Sequence, residues 1–182
     1  GQFFHSMQKR RLGSSELELT TIGIGTWAIG GGDWAFGWGD QDEREAIVGI
    51  RKGVELGGNW IDTAAIYGDG ASEVLVGKAL REIPESERPL VATKCGRIMQ
   101  EDGTVLGRLK SESVVAECEA SLRRLSVDCI DLYQVHWPDP DGDIEEAWTA
   151  ITELKKAGKI REIGVSNHGV EQMERLQPIH PV

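Results

Sequence analysis

Residues 61–68 read IDTAAIYG, and they place a carboxylate at the end of an apolar segment and a phenol five residues later. The apolar lead-in predicts a buried strand that ends near Asp62, with Tyr67 in the turn before Gly68. An ionised carboxylate is costly to bury without a partner, so an acid at this place indicates a polar site at the strand end. We therefore expect other strands to bring partner groups to Asp62 and Tyr67.

The chain on both sides of this stretch alternates between strands and helices. Strands are predicted over residues 22–27, 59–63, 89–94, 130–136 and 160–167. Helices are predicted over residues 42–56, 72–80, 111–125, 144–156 and 170–176. A polar hairpin is predicted over residues 10–19, before the first strand. Apolar strands that alternate with helices indicate a parallel sheet covered by helices, which is an α/β fold.

Apolar spacing and end signals define the helices further. Ser72 is predicted as an N-cap and Gly158 as a helix stop. The predicted inward faces consist of Ile47, Ile50 and Val54; then Val115, Cys118, Leu122 and Leu125; then Ala147, Trp148, Ile151 and Leu154.

Two parallel architectures compete, a doubly wound sheet and a barrel. The dinucleotide fingerprint GxGxxG fails at residues 23–28, GIGTWA, because Ala28 stands in place of the third glycine. The phosphate-loop pattern also fails, because Ala79 follows Gly77-Lys78 and Ser72 stands where the upstream glycine belongs. Both failures favour the barrel.

The positions of the polar residues favour the barrel as well. Asp62, Lys94, His136 and the pair Ser166-Asn167 each fall at the carboxyl end of a different predicted strand. In a barrel these ends meet at one mouth, where barrel enzymes have their active sites.

Composition limits the classes of function. The 182 residues include 30 acidic and 20 basic side chains, a net charge of -10, which argues against binding to nucleic acid or to an anionic membrane. Cys95, Cys118 and Cys129 form no metal-binding pattern and suit a reducing compartment, so we expect a cytoplasmic protein without a metal site. Residues 1–6, before Met7, are interpreted as an expression remnant, and residues 7–182 as one domain.

Asp62, Tyr67, Lys94 and His136 together form a plausible proton-transfer site. A lysine beside an aspartate stays charged, and a charged lysine beside a tyrosine is expected to lower the pKa of the phenol. Such a phenol acts as a general acid, and a histidine beside it orients a carbonyl oxygen. The site would protonate an alkoxide formed when a nicotinamide or flavin delivers hydride to a carbonyl carbon.

Each residue also has an ordinary structural interpretation. Asp62 fits a capping or loop acid, Tyr67 a wall residue, Lys94 a solvated strand end and His136 a core histidine. Cys95 is either a reactive thiol or, as we favour because no histidine base is assigned to it, a packed side chain.

Four separated motifs resemble the aldo-keto reductase family. They are IDTAAIYG (61–68), ATKCG (92–96), LYQVHWP (132–138) and IGVSNH (163–168), and GIGTW (23–27) matches the family's opening. The resemblance runs from about Arg11 to the C-terminus and implies a (β/α)8 TIM-type barrel with an N-terminal β-hairpin at its base. It also implies NADPH-dependent interconversion of aldehydes or ketones with alcohols.

The resemblance assigns roles to individual residues. Tyr67 matches the general acid, Lys94 its partner, Asp62 the acid that pairs with the lysine, and His136 the residue that orients the carbonyl. The expected cofactor-binding residues are Thr26, Trp27, Asp62, Ser166 and Asn167. The expected substrate-binding residues are Trp27, Trp34, Tyr67, His136 and Trp137, whose aromatic rings suggest an apolar or aromatic carbonyl substrate.

The chain departs from the family in length. About five βα units are predicted, whereas this barrel has eight and usually takes about 250 residues. In the family the segments that bind the cofactor phosphates follow strands seven and eight, so we expect the 182-residue chain to turn over weakly or not at all by itself. Because of its open strand edges, such a chain should aggregate, associate with a copy of itself or be incomplete. We favour part of a longer enzyme over a truncation that oligomerises through its edges or half of a split barrel that needs a second chain. Alternative functions are a non-catalytic, cofactor-sensing or partner-binding subunit, similar to potassium-channel beta subunits, and a fragment without activity.

Overall fold

An antiparallel hairpin is the first element of the computed structural model, which describes residues 7–31 and 42–182. Strand β1 (Lys9–Arg11) pairs with β2 (Glu18–Thr20), as the sequence predicted. The Nε1 of Trp60 donates to the Thr20 carbonyl at 2.9 Å, and the Thr20 amide donates to Asn59 Oδ1 at 2.8 Å. Because Asn59 and Trp60 begin a strand of the main sheet, the hairpin covers the amino-terminal end of that sheet.

The main sheet consists of five parallel strands, and helices follow its strands along the chain. After the hairpin the elements are β3 (Ile24–Gly25), α1 (Glu43–Glu55), β4 (Trp60–Asp62), α2 (Ala71–Arg81), β5 (Leu90–Cys95), β6 (Arg97–Met99), β7 (Val105–Gly107), α3 (Ser111–Leu125), β8 (Ile130–Val135), α4 (Ile144–Lys156), β9 (Ile160–Val165) and α5 (Val170–Leu176). The sheet has the order β3-β4-β5-β8-β9, and all its neighbouring strands are parallel. The predicted alternation and the α/β class are therefore confirmed.

The core lies between the sheet and the helices. Strand residues such as Ile61, Tyr133 and Val135 are fully buried there, together with Trp148 and Ile151 of α4. Complete burial of one such side chain contributes about 1.5–3 kcal/mol. This layer of contacts holds the strands in place while their inner faces remain available for chemistry.

Strand alternation decides which residues reach the inner face. In β5 the Thr93 hydroxyl donates to Glu73 of α2 at 2.6 Å, so Thr93 points towards the helices. Successive strand residues point in opposite directions, so Lys94 points to the inner side, where it meets Asp62 of β4. Cys95 returns to the helix side and is buried in the core.

The architecture corresponds to five strand–helix units of a (β/α)8-type barrel, as expected. Within the described residues, β3 and β9 each pair with one neighbouring strand, so this part of the sheet is open. No helix in residues 7–31 and 42–182 combines the length and apolar character needed to cross a membrane.

Two predicted helix details are wrong. Ser72 is not an N-cap: α2 begins one residue earlier, Gly70 is its N-cap with φ +92°, and the Ser72 side chain is fully buried. Val115 was assigned to the inward face of α3, but it is exposed, and Val114 is buried in its place. The predicted stop at Gly158 is confirmed, since α4 ends at Lys156 and Gly158 has φ +79°.

The first strand is shorter than predicted. Only Ile24–Gly25 of residues 22–27 pair as a strand. The amide and the hydroxyl of Thr26 both donate to the Asp62 carbonyl at 3.0 Å, after which Trp27–Ile29 form a turn of 3₁₀ helix. The chain bends here because the end of β3 is tied to the end of β4.

A second hairpin follows β5 directly and was not predicted. Strand β6 pairs antiparallel with β7, with Arg97 opposite Gly107. Each strand has three residues, which is too short for an alternation of apolar and polar residues to be recognisable. This hairpin stands at the carboxyl end of the sheet, beside the predicted site.

Candidate active site

The four predicted catalytic residues lie together at the carboxyl ends of the strands. Asp62 ends β4, Lys94 is the fifth residue of β5, and His136 directly follows β8. Tyr67 lies in the turn between β4 and α2, where its ring centroid is 5.8 Å from that of His136. The parallel arrangement of the strands brings residues that are far apart in sequence to one place.

An ion pair between Lys94 and Asp62 is the centre of the site. The Lys94 ammonium donates to both Asp62 carboxylate oxygens at 2.9 Å and to the Thr63 carbonyl at 2.8 Å. The Lys94 side chain is 7% exposed, whereas that of Asp62 is 34% exposed. All three N–H groups of the ammonium thus have acceptors, which offsets the cost of burying the charge.

Tyr67 stands beside this pair with its phenol protonated. The Lys94 Nζ lies 5.3 Å from the centroid of the Tyr67 ring. Burial of the phenol and, secondly, the negative charge of Asp62 raise the pKa of Tyr67 to about 12. The expected net lowering of this pKa is therefore wrong for this structure, because burial and the charge of Asp62 outweigh the attraction between Lys94 and the phenolate.

A raised phenol pKa is still compatible with proton donation. Tyr67 holds its proton throughout the physiological range, as a general acid must before the reaction. An alkoxide is a stronger base than a phenolate, so transfer of the Tyr67 proton to a developing alkoxide is favourable. The pKa alone would make Tyr67 a slow base for the reverse direction at neutral pH.

His136 is held by its backbone, which leaves its ring at the inner side. Its amide donates to the Cys95 carbonyl at 3.0 Å, and its own carbonyl accepts from Asn167 Nδ2 at 2.9 Å. Burial, then the positive charges of Lys94 and Arg97, lower the pKa of His136 to about 4. The ring is therefore neutral at physiological pH and offers one N–H donor to a carbonyl oxygen.

We expect the His136 imidazole to titrate near pH 4 rather than near 6.5. Imidazole ¹⁵N NMR over an acid titration measures this midpoint, with the signal assigned by its loss in His136→Gln. Arg97→Gln should move the midpoint upward, because it removes a positive charge that disfavours imidazolium. A midpoint at or above 6.5 would show that the ring is not buried as the structure has it.

A buried hydroxyl network supports the ion pair and was missed by the sequence analysis. The Ser72 hydroxyl lies 2.9 Å from the hydroxyls of both Thr26 and Thr63 and 3.1 Å from the Thr26 carbonyl. Thr63 also supplies the carbonyl bound by Lys94. The first turn of α2 therefore joins the ends of β3 and β4 directly behind Asp62.

A second buried network joins α2 to β5 and α3. Glu73 is fully buried and accepts hydrogen bonds from Thr93 Oγ1 at 2.6 Å, Ser121 Oγ at 2.8 Å and Arg124 Nε at 2.7 Å. A sequence signal existed, since Glu73 precedes Val76 by three positions and lies on the apolar face of α2. This network fixes Thr93, the residue next to Lys94.

Among the described residues, the nicotinamide end of a cofactor has suitable partners in Ser166 and Asn167. Asn167 follows β9 with φ +59°, and its Nδ2 donates to the His136 carbonyl and to Ser166 Oγ. Its exposed amide oxygen makes no hydrogen bond within the described part of the chain. A carboxamide has N–H donors and one acceptor oxygen. The Asn167 amide oxygen can accept from the N–H donors and the Ser166 hydroxyl can donate to the oxygen, so these residues fit a nicotinamide carboxamide.

The other predicted ligand-binding residues have mixed placements. The Thr26 hydroxyl is buried and engaged with Asp62 and Ser72, so it supports the site from behind. Trp27 and Trp137 are each 43% exposed, as wall residues of a pocket would be. Trp34 lies outside the described residues. The cofactor and substrate roles of these residues stay predictions.

Cys95 is packed, as favoured. It is fully buried in the core, and burial raises the pKa of its thiol well above the usual range. A reactive cysteine needs an accessible thiolate. Within the ATKCG motif, its neighbour Lys94 is therefore the residue that lies at the candidate site.

Known proteins are similar to this chain over most of its length. The sequence model of the Aldo/keto reductase family matches residues 21–182. Aldo-keto reductase YhdN of Bacillus subtilis (strain 168) is 42% identical over 176 residues, which make up 97% of this chain and 52% of that protein. The NADH-specific methylglyoxal reductase of Escherichia coli (strain K12) is 41% identical over 173 residues, 88% of this chain and 52% of that protein. The structure of the glycerol dehydrogenase AKR11B4 from Gluconobacter oxydans aligns with a TM-score of 0.85 at 39% identity, over 96% of this chain and 53% of that chain.

The chain belongs to the aldo/keto reductase family, and the recognition from its four motifs is confirmed. Members of this family are oxidoreductases that act on carbonyl compounds and bind nicotinamide cofactors. The chain spans about half the length of the relatives it matches.

Proposed function

We propose that the protein reduces aldehydes or ketones to alcohols with a nicotinamide cofactor, in the favoured case NADPH, and that Tyr67 donates the proton. The single observation that carries the proposal is the geometry of Asp62, Tyr67, Lys94 and His136 at one end of the sheet. When bound, the cofactor supplies a hydride, which is the only component of the reaction that side chains cannot provide.

The residues have distinct roles in this proposal. His136 donates a hydrogen bond from its neutral ring to the carbonyl oxygen and so orients it. Tyr67 donates its phenolic proton to the same oxygen as negative charge develops there. The ammonium of Lys94, held by Asp62, stabilises the phenolate that remains. Burial of Lys94 excludes water from the side of the site that faces the core.

The identity of the nucleotide is part of the proposal. The family resemblance favours NADPH, while the E. coli relative is named an NADH-specific enzyme. Ser166 and Asn167 would bind the carboxamide, which both nucleotides share, so they do not discriminate between them. A cytoplasmic location is proposed as well, supported by the free thiols of Cys95, Cys118 and Cys129.

A substrate with an aromatic or apolar body is proposed from the half-exposed rings of Trp27 and Trp137. The alternative of a non-catalytic cofactor-sensing subunit is less well supported. A scaffold has no need for a lysine ammonium with every N–H satisfied beside a protonated phenol.

We expect a form of the protein that spans the full length of its relatives to bind NADPH with a Kd in the range of about 1 μM to 1 mM and to oxidise it when an aldehyde is added. For the 182-residue chain by itself we expect weak turnover or none. Fluorescence titration with NADPH and NADH measures binding, and loss of nicotinamide absorbance with benzaldehyde and methylglyoxal measures turnover. Sedimentation of the same sample tests whether the open edges of β3 and β9 pair with a second copy.

The possible outcomes separate the candidate functions. Binding with carbonyl-dependent oxidation supports a reductase. Binding without oxidation of any carbonyl would contradict it and favour the cofactor-sensing alternative. Absence of binding to either nucleotide would contradict both.

A further inference from the structure

A positively charged side chain stands at the rim of the site without a role in the proton chemistry. Arg97 begins β6, two residues after the end of β5. Gly96, between them, has φ +93°, and its amide donates to both carboxylate oxygens of Glu117 at 3.2 and 3.0 Å. The chain thus turns sharply behind Lys94 and delivers Arg97 to the mouth in a fixed position.

The guanidinium of Arg97 lies over the Trp137 ring, and only one of its nitrogen atoms makes a hydrogen bond within the described residues. Its Cζ lies 5.6 Å from the centroid of the Trp137 ring, and its Nη1 donates to Asp139 Oδ2 at 2.8 Å. Within the described residues this is its one hydrogen bond, so Nε and Nη2 have no acceptor there. The Arg97 side chain is nevertheless only 21% exposed. A guanidinium that is mostly buried beside an aromatic ring and keeps unpaired N–H donors is suited to a planar anion.

Arg97 also lies close to the reacting centre. Trp137 directly follows His136, so the ring on which the guanidinium stacks is next to the residue that orients the carbonyl. After burial and the charge of Lys94, the charge of Arg97 also lowers the pKa of His136, which agrees with its place near that ring. An anionic group on the substrate would therefore meet Arg97 while the carbonyl meets His136 and Tyr67.

The opposing interpretation is that the ion pair of Arg97 with Asp139 only stabilises the β6–β7 hairpin. Asp139 already packs against β7, since a Cβ on Gly107 would come within 2.4 Å of the Asp139 carbonyl oxygen. The hairpin is thus held without the guanidinium. An ion pair whose acid is 58% exposed contributes little stability, and a carboxylate of a ligand can share or replace it.

We propose that Arg97 is a specificity residue for carbonyl substrates that carry a carboxylate, which its free Nε and Nη2 donors bind while the Trp137 ring lies against the guanidinium. This inference rests on the proposed reductase function and adds the substrate class to it. The Asp139 carboxylate competes with the substrate carboxylate for the guanidinium. It holds the guanidinium in place when no substrate is bound, and the substrate replaces part of this contact.

The test compares acids with their neutral esters. The substrates are ortho-, meta- and para-formylbenzoate and their methyl esters, which vary the distance between carbonyl and charge. For the best isomer we expect kcat/KM of the acid to exceed that of the ester by about 10-fold or more in the unmodified protein. Arg97→Gln should reduce this ratio by about 10- to 100-fold, and Arg97→Lys by less.

Two further variants distinguish substrate binding by Arg97 from a structural role. Asp139→Asn should raise the acid-to-ester ratio, because the competing carboxylate is removed. If Arg97 only held the hairpin in place, this substitution would not raise the ratio. Arg108→Gln is the matched control, since Arg108 ends the same hairpin segment but is 49% exposed and pairs with Glu112. Its ratio should stay that of the unmodified protein.

The outcomes distinguish this proposal from the reductase function. If the esters are reduced and the acid-to-ester ratio is the same in Arg97→Gln, the substrate class is wrong and the reductase stands. If Arg97→Gln instead weakens cofactor binding, Arg97 serves the cofactor and the proposal is overturned. If no carbonyl is reduced, ¹⁵N NMR of the Arg97 Nε with added benzoate decides: a shift that methyl benzoate does not cause supports the anion site, and its absence overturns it.

Discussion

Tyr67→Phe is expected to lower kcat for carbonyl reduction by about 10²- to 10⁴-fold, the usual contribution of a positioned general acid. The variant removes only the phenolic oxygen, so the ring keeps its edge contact with His136 at a centroid distance of 5.8 Å. Cofactor affinity should change little, since Ser166 and Asn167 are untouched. Steady-state kinetics with fluorescence titration of the cofactor measures both quantities.

The chain offers a matched control for this variant, because Tyr133 is its only other tyrosine. Tyr133 is fully buried in the core on the helix side of β8. Tyr133→Phe should leave kcat near that of the unmodified protein. Equal losses in the two variants would mean that Tyr67 acts through packing, and the proton-donor role would be lost.

Glu73→Ala should lower the free energy of unfolding by about 3–5 kcal/mol, the range found when a buried ion pair loses one partner. The substitution removes the acceptor of Thr93, Ser121 and Arg124 at once, and it leaves the two hydroxyls buried without a partner. The value should lie towards the lower end, since Arg124 is 28% exposed and regains some hydration. Urea unfolding followed by circular dichroism measures the change.

Two variants control the Glu73 experiment. Glu73→Gln keeps an acceptor oxygen for the hydroxyls and should cost less than alanine. Glu43→Ala removes a surface pair with Lys78, in which the side chains are 58% and 36% exposed, and should leave the unfolding midpoint almost unchanged. Similar losses in Glu73→Ala and Glu43→Ala would mean that the buried network adds nothing to stability.

The sequence alone predicted the fold and the position of the tetrad for a clear reason. Asp62, Lys94 and His136 each lie at the end of an apolar strand, and parallel strands bring such ends together without further information, while Tyr67 follows Asp62 in the next turn. The same reasoning placed Ser166 and Asn167 beside His136. Strand and helix order depends on local patterns, and these patterns are strong here.

Features that depend on tertiary partners could not be predicted in this way. Ser72 has the local features of an N-cap, but Thr26 and Thr63 bury its hydroxyl. The pKa of Tyr67 depends first on the burial of its phenol and then on the charge of Asp62, and only the geometry shows these. The short hairpin that carries Arg97 has too few residues for a periodic pattern.

The buried network around Ser72 has a consequence for how this family diversifies. Backbone carbonyls and hydroxyls at the strand ends hold the ion pair of Lys94 and Asp62 in place. Arg97 and Trp137 lie at the rim of the site and contact each other instead. Substitutions at the rim can therefore accumulate without disturbing the ion pair of Lys94 and Asp62. Under the proposed function, a scaffold divided in this way would let natural variation, or an engineer, exchange one substrate preference for another while Tyr67 remains the proton donor.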